Sequence, residues 1–253
     1  NNFELLIHPC DASSKNIAKE LVDMVDTAQL AGLILSPPLS EMPEVLSELD
    51  QNQISYVRIL SGDGLFPSPL PYVLVNDFKA AYDITEHLIG QGHKNIAFIA
   101  GEEIHKSTIE RLNGYKAALE KAGIAIDESL IIKGTYSFET GVKSSETLLA
   151  MSPPPTAVFA CNDEIAAGTL FGARMKGVDV PQELAIAGFE NSPFSRQTFP
   201  PLTTASQPTN EIAQHAAASL IQYLRAKKAK AAHDNLNHTF IPELVVRAST
   251  EKQ

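Results

Sequence analysis

The sequence predicts an α/β protein of two doubly wound parallel-sheet lobes with a ligand cleft between them. Short apolar runs alternate with stretches of helical periodicity along nearly all of the 253 residues, which is the pattern of strand–helix–strand crossovers. About ten such runs occur, so two sheets of roughly five strands are more economical than one very large sheet. Glycines stop the helices and prolines open the loops, as at Gly123, Gly177 and Pro181, where a residue free to take positive φ and a residue with fixed φ belong.

Phe3–His8 reads as a strand, and Ser13 or Ser14 caps a helix that carries Ile17, Leu21, Met24, Val25 and Ala28 at helical spacing. Gly32–Leu35 is a buried strand ended by Pro37-Pro38. A helix over Pro43–Asp50, a strand over Ile54–Ile59 and a Gly/Pro-rich loop over Ser61–Pro71 follow. Tyr72–Val75 is a strand, and Asn76-Asp77 caps a helix that reaches Ile89 and stops at Gly90 and Gly92. The strand Ile96–Ala100, the loop Gly101–Lys106 and the helix Ser107–Ala122 come next, then a strand over Leu130–Lys133 and a helix over Phe138–Met151. Ala157–Cys161 and Leu184–Phe189 are strands that enclose the helix Glu164–Lys176. The remainder is a strand over Leu202–Ser206, a helix over Thr209–Ala226, a polar segment over Ala229–His238 and a strand over Phe240–Val246.

Composition excludes several functions. A net charge of −10 leaves no Lys/Arg field with which this segment alone could neutralise DNA phosphates. No apolar run is long enough to span a bilayer. Cys10 and Cys161 are the two cysteines, too few for a disulfide framework or a zinc site and suited to reduced thiols in the cytoplasm. The histidines show no paired metal-ligand spacing. Gly90-Gln-Gly92 ends a helix where a dinucleotide loop would begin one, and no nucleophile elbow is present. No cofactor, metal or catalytic set is therefore expected.

Ligand candidates follow from placement. In an open parallel sheet, ligands lie beside the carboxyl ends of the strands. Asn162 and Glu190 close the strands on either side of the helix Glu164–Lys176, and Asp163 reads as that helix's N-cap. Arg111 lies in the first turns of the helix after Ile96–Ala100, where a guanidinium can fork onto two ligand oxygens. The plainer alternative is a surface ion pair with Glu103 or Glu110. Tyr136 and Phe138 sit in a strand–helix loop, where an aromatic ring either stacks on a sugar face or plugs the core. Together these residues suit a polyol: hydrogen-bonding groups around an aromatic platform.

Six segments occur in order: GHKNIAFIAG (Gly92–Gly101), ERLNGYKAALEKAGI (Glu110–Ile124), TAVFACNDEIAAG (Thr156–Gly168), DVPQELAIAGFEN (Asp179–Asn191), PPLTTASQP (Pro200–Pro208) and PELVVRAST (Pro242–Thr250). Together they resemble the effector-binding domain of the LacI/GalR family of bacterial transcription regulators, over nearly the whole chain. The resemblance implies the type I periplasmic-binding-protein fold, with one lobe of residues 1–76 and 206–238 and another of residues 77–205 and 239–253. It implies a cytoplasmic homodimer and a small effector, a mono- or disaccharide, bound between the lobes. It also implies operator DNA held by a helix-turn-helix head upstream of residue 1, and a first strand and helix missing from the N-terminal lobe, because Phe3–His8 matches the second strand. Carried over by motif, the ligand contacts are Arg111, Asn162, Tyr136, Glu190 (where the family usually has Asp), Gln207 near the crossing between lobes and, more remotely, Ser36. Asn76-Asp77 reverses the family's usual order and carries no ligand role. A periplasmic sugar-binding protein that feeds a transporter shares the fold and is the second reading. A sugar-modifying enzyme is the third.

Overall fold

The computed structural model describes residues 3–62, 69–232 and 235–251. Its elements in chain order are α1 (Ile17–Ala28), β1 (Leu33–Leu35), α2 (Pro43–Gln51), β2 (Tyr56–Ser61), β3 (Tyr72–Val75), α3 (Asp77–Gly90), β4 (Ile96–Ile99), α4 (Lys106–Lys121), β5 (Ile131–Ile132), α5 (Phe138–Leu149), β6 (Ala157–Ala160), α6 (Asp163–Met175), β7 (Ala185–Ala187), α7 (Pro193–Gln197), β8 (Thr204–Ser206), α8 (Thr209–Ala229), β9 (His238–Phe240) and β10 (Glu243–Val245). The chain divides into two units. One holds Asn1–Leu60, Pro67–Val73 and Ala213–His238, and the other holds Ser61–Phe66, Leu74–Ile212 and Thr239–Gln253.

Strand β1 and nearly all of β2 belong to the first unit and stand in the sheet β1-β2-β3-β9, parallel to each other with Ile34 opposite Val57. Helix α1 turns Ile17, Leu21 and Val25 inward, one helical stripe, against Val45 and Leu49 of α2 and Leu33 and Leu35 of β1. The strand expected over Phe3–His8 is absent: the segment is irregular, with Leu5 80% and Ile7 83% exposed. A strand exists only where a neighbour takes up its N–H and C=O groups, and none does so for this run among the described residues. A cavity of about 590 Å³ lies beside it, walled by Leu33, Leu35, Leu220 and Leu224 among others. The cap expected from Ser13 or Ser14 also differs, since Asn16 precedes α1 without a side-chain hydrogen bond.

The second unit is built on the sheet β5-β4-β6-β7, parallel throughout, with Phe98 of β4 opposite Ile131 on one side and Phe159 on the other. Ile96, Phe98, Val158, Phe159 and Ile186 are buried, because helices that cover both faces of a parallel sheet leave its strands no polar side. From β4 the chain turns outward to β5 and then returns to lay β6 on the other flank of β4. The strand order therefore reverses between β4 and β6, and the carboxyl ends of these strands form the switch point of the sheet.

Three further departures have physical causes. The terminal strand expected over Phe240–Val246 is two short strands, β9 and β10, parted by Ile241-Pro242, since proline has no N–H to give a ladder. Strand β10 pairs antiparallel with β8, with Leu244 opposite Ala205, so the second unit adds a two-stranded ribbon to its parallel sheet. A short helix, α7, occupies a loop in which Pro193 supplies the fixed φ of a first helical position. The loop expected over Ser61–Pro71 and the polar segment Ala229–His238 lie partly outside the described residues, at 63–68 and 233–234.

Helices α3 and α4 pack closely at Gly114. A Cβ there would overlap the carbonyl oxygen of Phe78 and approach the Tyr82 nitrogen and the Ala81 side chain. Gly114→Ala should thus push the two helices apart and lower stability by about 1–3 kcal/mol, read as a reduced urea midpoint; an unchanged midpoint would show that this contact has slack.

Candidate functional site

The side chains that collect at the switch point come from loops and helix starts that the sheet aligns. Cys161 and Asn162 follow β6. The Asn162 side chain accepts the Ile165 N–H at 2.9 Å and caps α6, so Asn162 and not Asp163 is the N-cap. Its amide nitrogen has no protein partner among the described residues, and the residue is 7% exposed. Asp163 takes the first helical position, fully buried. Its carboxylate accepts the Thr204 hydroxyl at 2.6 Å and the Ser192 N–H at 2.7 Å. Burial raises its pKa, and those two donors oppose the rise.

Arg111 stands one turn before Gly114 on α4, on the face turned to α3. It is 4% exposed, which discards a surface pair with Glu103 or Glu110. Its Nε donates to Asp77 at 2.8 Å and one Nη donates to the Cys161 carbonyl at 2.7 Å. The guanidinium lies 3.8 Å over the Phe189 ring, and the same Nη is 3.7 Å from a Glu190 oxygen. Burial alone would disfavour the charge, but Asp77 and the other acidic groups around it outweigh burial and hold its pKa above the ordinary arginine value. Asp77 is 2% exposed and also accepts the Ser61 hydroxyl at 2.6 Å, while Asn76 caps α3 through the Lys79 N–H at 2.9 Å.

Glu190 and Asn191 follow β7 with φ of 102° and 58°, in the region non-glycine residues seldom adopt. The corner is held on all sides. The Glu190 N–H donates to Ala205 and the Gln207 N–H to the Glu190 carbonyl, the Asn191 N–H donates to Thr204, and the Asn191 side chain accepts from Arg247 at 2.6 Å. Glu190 is pushed to a raised pKa by burial, which Arg111 opposes and Asp163 and Asp77 reinforce.

Tyr136 places its hydroxyl 2.7 Å from Thr108 and 3.6 Å from the Cys161 sulfur. Its ring fills the space over Gly101, where a side chain would collide with it. Burial raises its pKa, with a further push from Cys161. The structure thus brings Arg111, Tyr136 and Glu190 together beside Cys161 and Asn162, and the Gln207 backbone joins them through the Glu190 carbonyl. Phe138 differs: it opens α5, packs its ring against Phe171 at 5.7 Å and receives Gly168 against its carbonyl, so it plugs the α5–α6 contact. Ser36 belongs to the first unit, exposed after β1, with its carbonyl accepting the Ser40 N–H.

Phe189 and Thr108 carry no role in the sequence analysis, and Asp77, given no ligand role there, is the partner of Arg111. Asp77 is 34 positions from Arg111, so no local spacing could join them; the one available signal was an acid in the first turn of the helix after a strand. No group of three or more His, Cys, Asp or Glu residues that could hold a metal ion occurs among the described residues, and none of their helices is long and apolar enough to cross a membrane.

For Glu190 the raised pKa means that stability is fully present below the unfolded value and is lost as pH rises through the folded one. Glu190→Gln removes that loss. Its melting temperature relative to wild type should therefore climb between mildly acidic and neutral pH, and a constant difference would mean that the carboxylate is not destabilised here.

Residues 85–250 match the family model described as a periplasmic binding protein-like domain. The chain is 33% identical over 250 residues to the HTH-type transcriptional repressor CytR of Escherichia coli, covering 99% of this chain and 71% of that one. It is 34% identical over 251 residues to the HTH-type transcriptional regulator DegA of Bacillus subtilis, covering 98% and 72%. The transcriptional regulator CelR in complex with cellobiose superposes with a TM-score of 0.82 at 28% identity, over 93% of this chain and 71% of the other. A LacI-family regulatory protein from Chloroflexus aggregans gives 0.82 at 27%, over 94% and 84%. These relatives are regulators and do not favour a transport protein. The chain belongs to the LacI/GalR family and is the effector-binding domain of a transcriptional regulator.

Proposed function

We propose that the effector is a mono- or disaccharide and that Arg111, Asn162, Tyr136, Glu190 and Gln207 of the second unit bind it. One observation carries the reading: Arg111 is a buried guanidinium held rigid by Asp77 and Cys161, with Glu190 across from it and the free amide of Asn162 at the same switch point. Fixed donors and an acceptor converging on one spot suit vicinal hydroxyls, which both give and take hydrogen bonds. The cellobiose in the CelR complex supports a saccharide. Phe138 supports the site through packing. The effector acts by binding two conformations of the protein with different affinity. Operator DNA is held by a helix-turn-helix head preceding residue 1, consistent with a net charge of −10 in the chain itself, and the protein is cytoplasmic. Calorimetry over a sugar panel tests the site. Arg111→Ala and Asn162→Ala should each weaken the bound sugar at least tenfold, about 1.4 kcal/mol, and wild-type affinity in both would discard it.

The protein is proposed to be a homodimer through the outer face of α6. Phe171 and Met175, one turn apart, are 50% and 72% exposed, and Phe199 is 78% exposed with Arg174 stacked over its ring at 5.4 Å. Apolar side chains so gathered mark an interaction surface. Met175→Glu should shift the protein toward monomer in sedimentation, whereas an unchanged dimer would place the interface elsewhere.

A further inference from the structure

The charge of the site bears on the chemistry of its effector. Two carboxylates, Asp77 and Glu190, face the guanidinium of Arg111 at the switch point, and a third, Asp163, lies near Glu190. The nearby Arg247 spends its two Nη groups on the Leu202 carbonyl and the Asn191 side chain. Arg111 therefore meets a ligand with its charge already matched by Asp77 and faced by Glu190.

Helix starts ordinarily welcome anions. Here the chain has occupied them with its own groups. Asn76 caps α3 and Asp77 follows it. Ser137 caps α5, where the Phe138 N–H also donates to Glu164 at 3.2 Å. Asn162 caps α6 and Asp163 follows it. Helix α4 alone of these four opens without a side-chain cap, and Glu102 stands before it, 3.4 Å from His105. An anionic group seated against Arg111 would displace none of these carboxylates and would face Glu190 at close range.

We infer that the effector presents uncharged hydroxyl groups to this face, and that phosphate esters and sugar acids are rejected by Glu190. The inference rests on the reading of the Arg111 face as the effector site. Like charges brought together at a binding surface discriminate between partners, and Glu190 is the carboxylate at this corner with a substantially exposed side chain, 40% against 3% for Asp77.

Thermal-shift and calorimetric titration of the full-length protein tests this. The probes are common pentoses, hexoses and disaccharides, each beside its phosphate ester and its sugar acid, together with inorganic phosphate. The neutral sugar that binds should do so at least about tenfold more tightly than its charged derivatives, inorganic phosphate should not compete with it, and Glu190→Gln should narrow the gap by strengthening the esters. An ester that binds as tightly as its parent, with both lost in Arg111→Ala, would overturn the inference and leave the site standing. A neutral sugar bound equally well by wild type, Arg111→Ala and Glu190→Gln would overturn the site itself. If no saccharide of either kind binds, the saccharide reading falls and this inference falls with it.

Discussion

The buried ion pair between Arg111 and Asp77 is the constraint on which the rest of the second unit's site depends. Such a pair is not retained for stability, because removing two charges from water costs as much as their attraction returns. Breaking it is another matter: one partner left alone in the interior costs about 3–5 kcal/mol. The pair therefore makes the position of the guanidinium all or nothing. Nε is committed to Asp77 and an Nη to the Cys161 carbonyl, and the plane rests on Phe189. A donor fixed on three sides presents its remaining edge without reorganising, and such preorganisation spares a ligand the entropy of ordering its own site.

The fold supplies that pair from parts distant in sequence. Gly114 lets α4 approach α3 until no Cβ fits between them, and that approach brings Arg111 to Asp77. The parallel sheet sets the ends of β6 and β7 side by side, so that the carbonyl of Cys161 after one strand and the acid of Glu190 after the other meet one guanidinium. The corner at Glu190 and Asn191 has its own supports. Two consecutive residues with positive φ persist only when their surroundings over-determine them. Asp163, Thr204 and Arg247 do this from α6, β8 and the C-terminal segment. The segment PELVVRAST thus serves the site from a distance, since its Arg247 anchors the residue beside the acid that faces Arg111.

Much of this was legible from residues. The alternation of apolar runs with helical stretches specified strands and helices of the second unit to within a few residues, since a fully buried parallel strand and an amphipathic helix each leave a distinct pattern. Arg111, Asn162, Tyr136 and Glu190 were readable as candidates because helix starts and strand ends of an α/β unit fall at one edge of its sheet, whereas Gln207 came only from the family motif. Two of the failures share a cause. Phe3–His8 has a strand's composition, but pairing is decided by a neighbour and not by the segment. Phe138 has the right residue type and the right loop, yet its rotation on α5 sends the ring to Phe171.

The sequence by itself determined most of the order and kind of the elements, the family, and which side chains stand at the carboxyl ends of the second unit's parallel strands, because these follow from local periodicity and from motifs in line. Tertiary structure alone decided which of those side chains are paired. That Asp77 answers Arg111 across 34 residues, that Asn162 and not its neighbour caps α6, and that β9 and β10 part at Pro242 to serve different sheets are outcomes of packing. A hydrogen-bond partner or an ion pair is settled by distance in space, and separation along the chain carries almost no information about it.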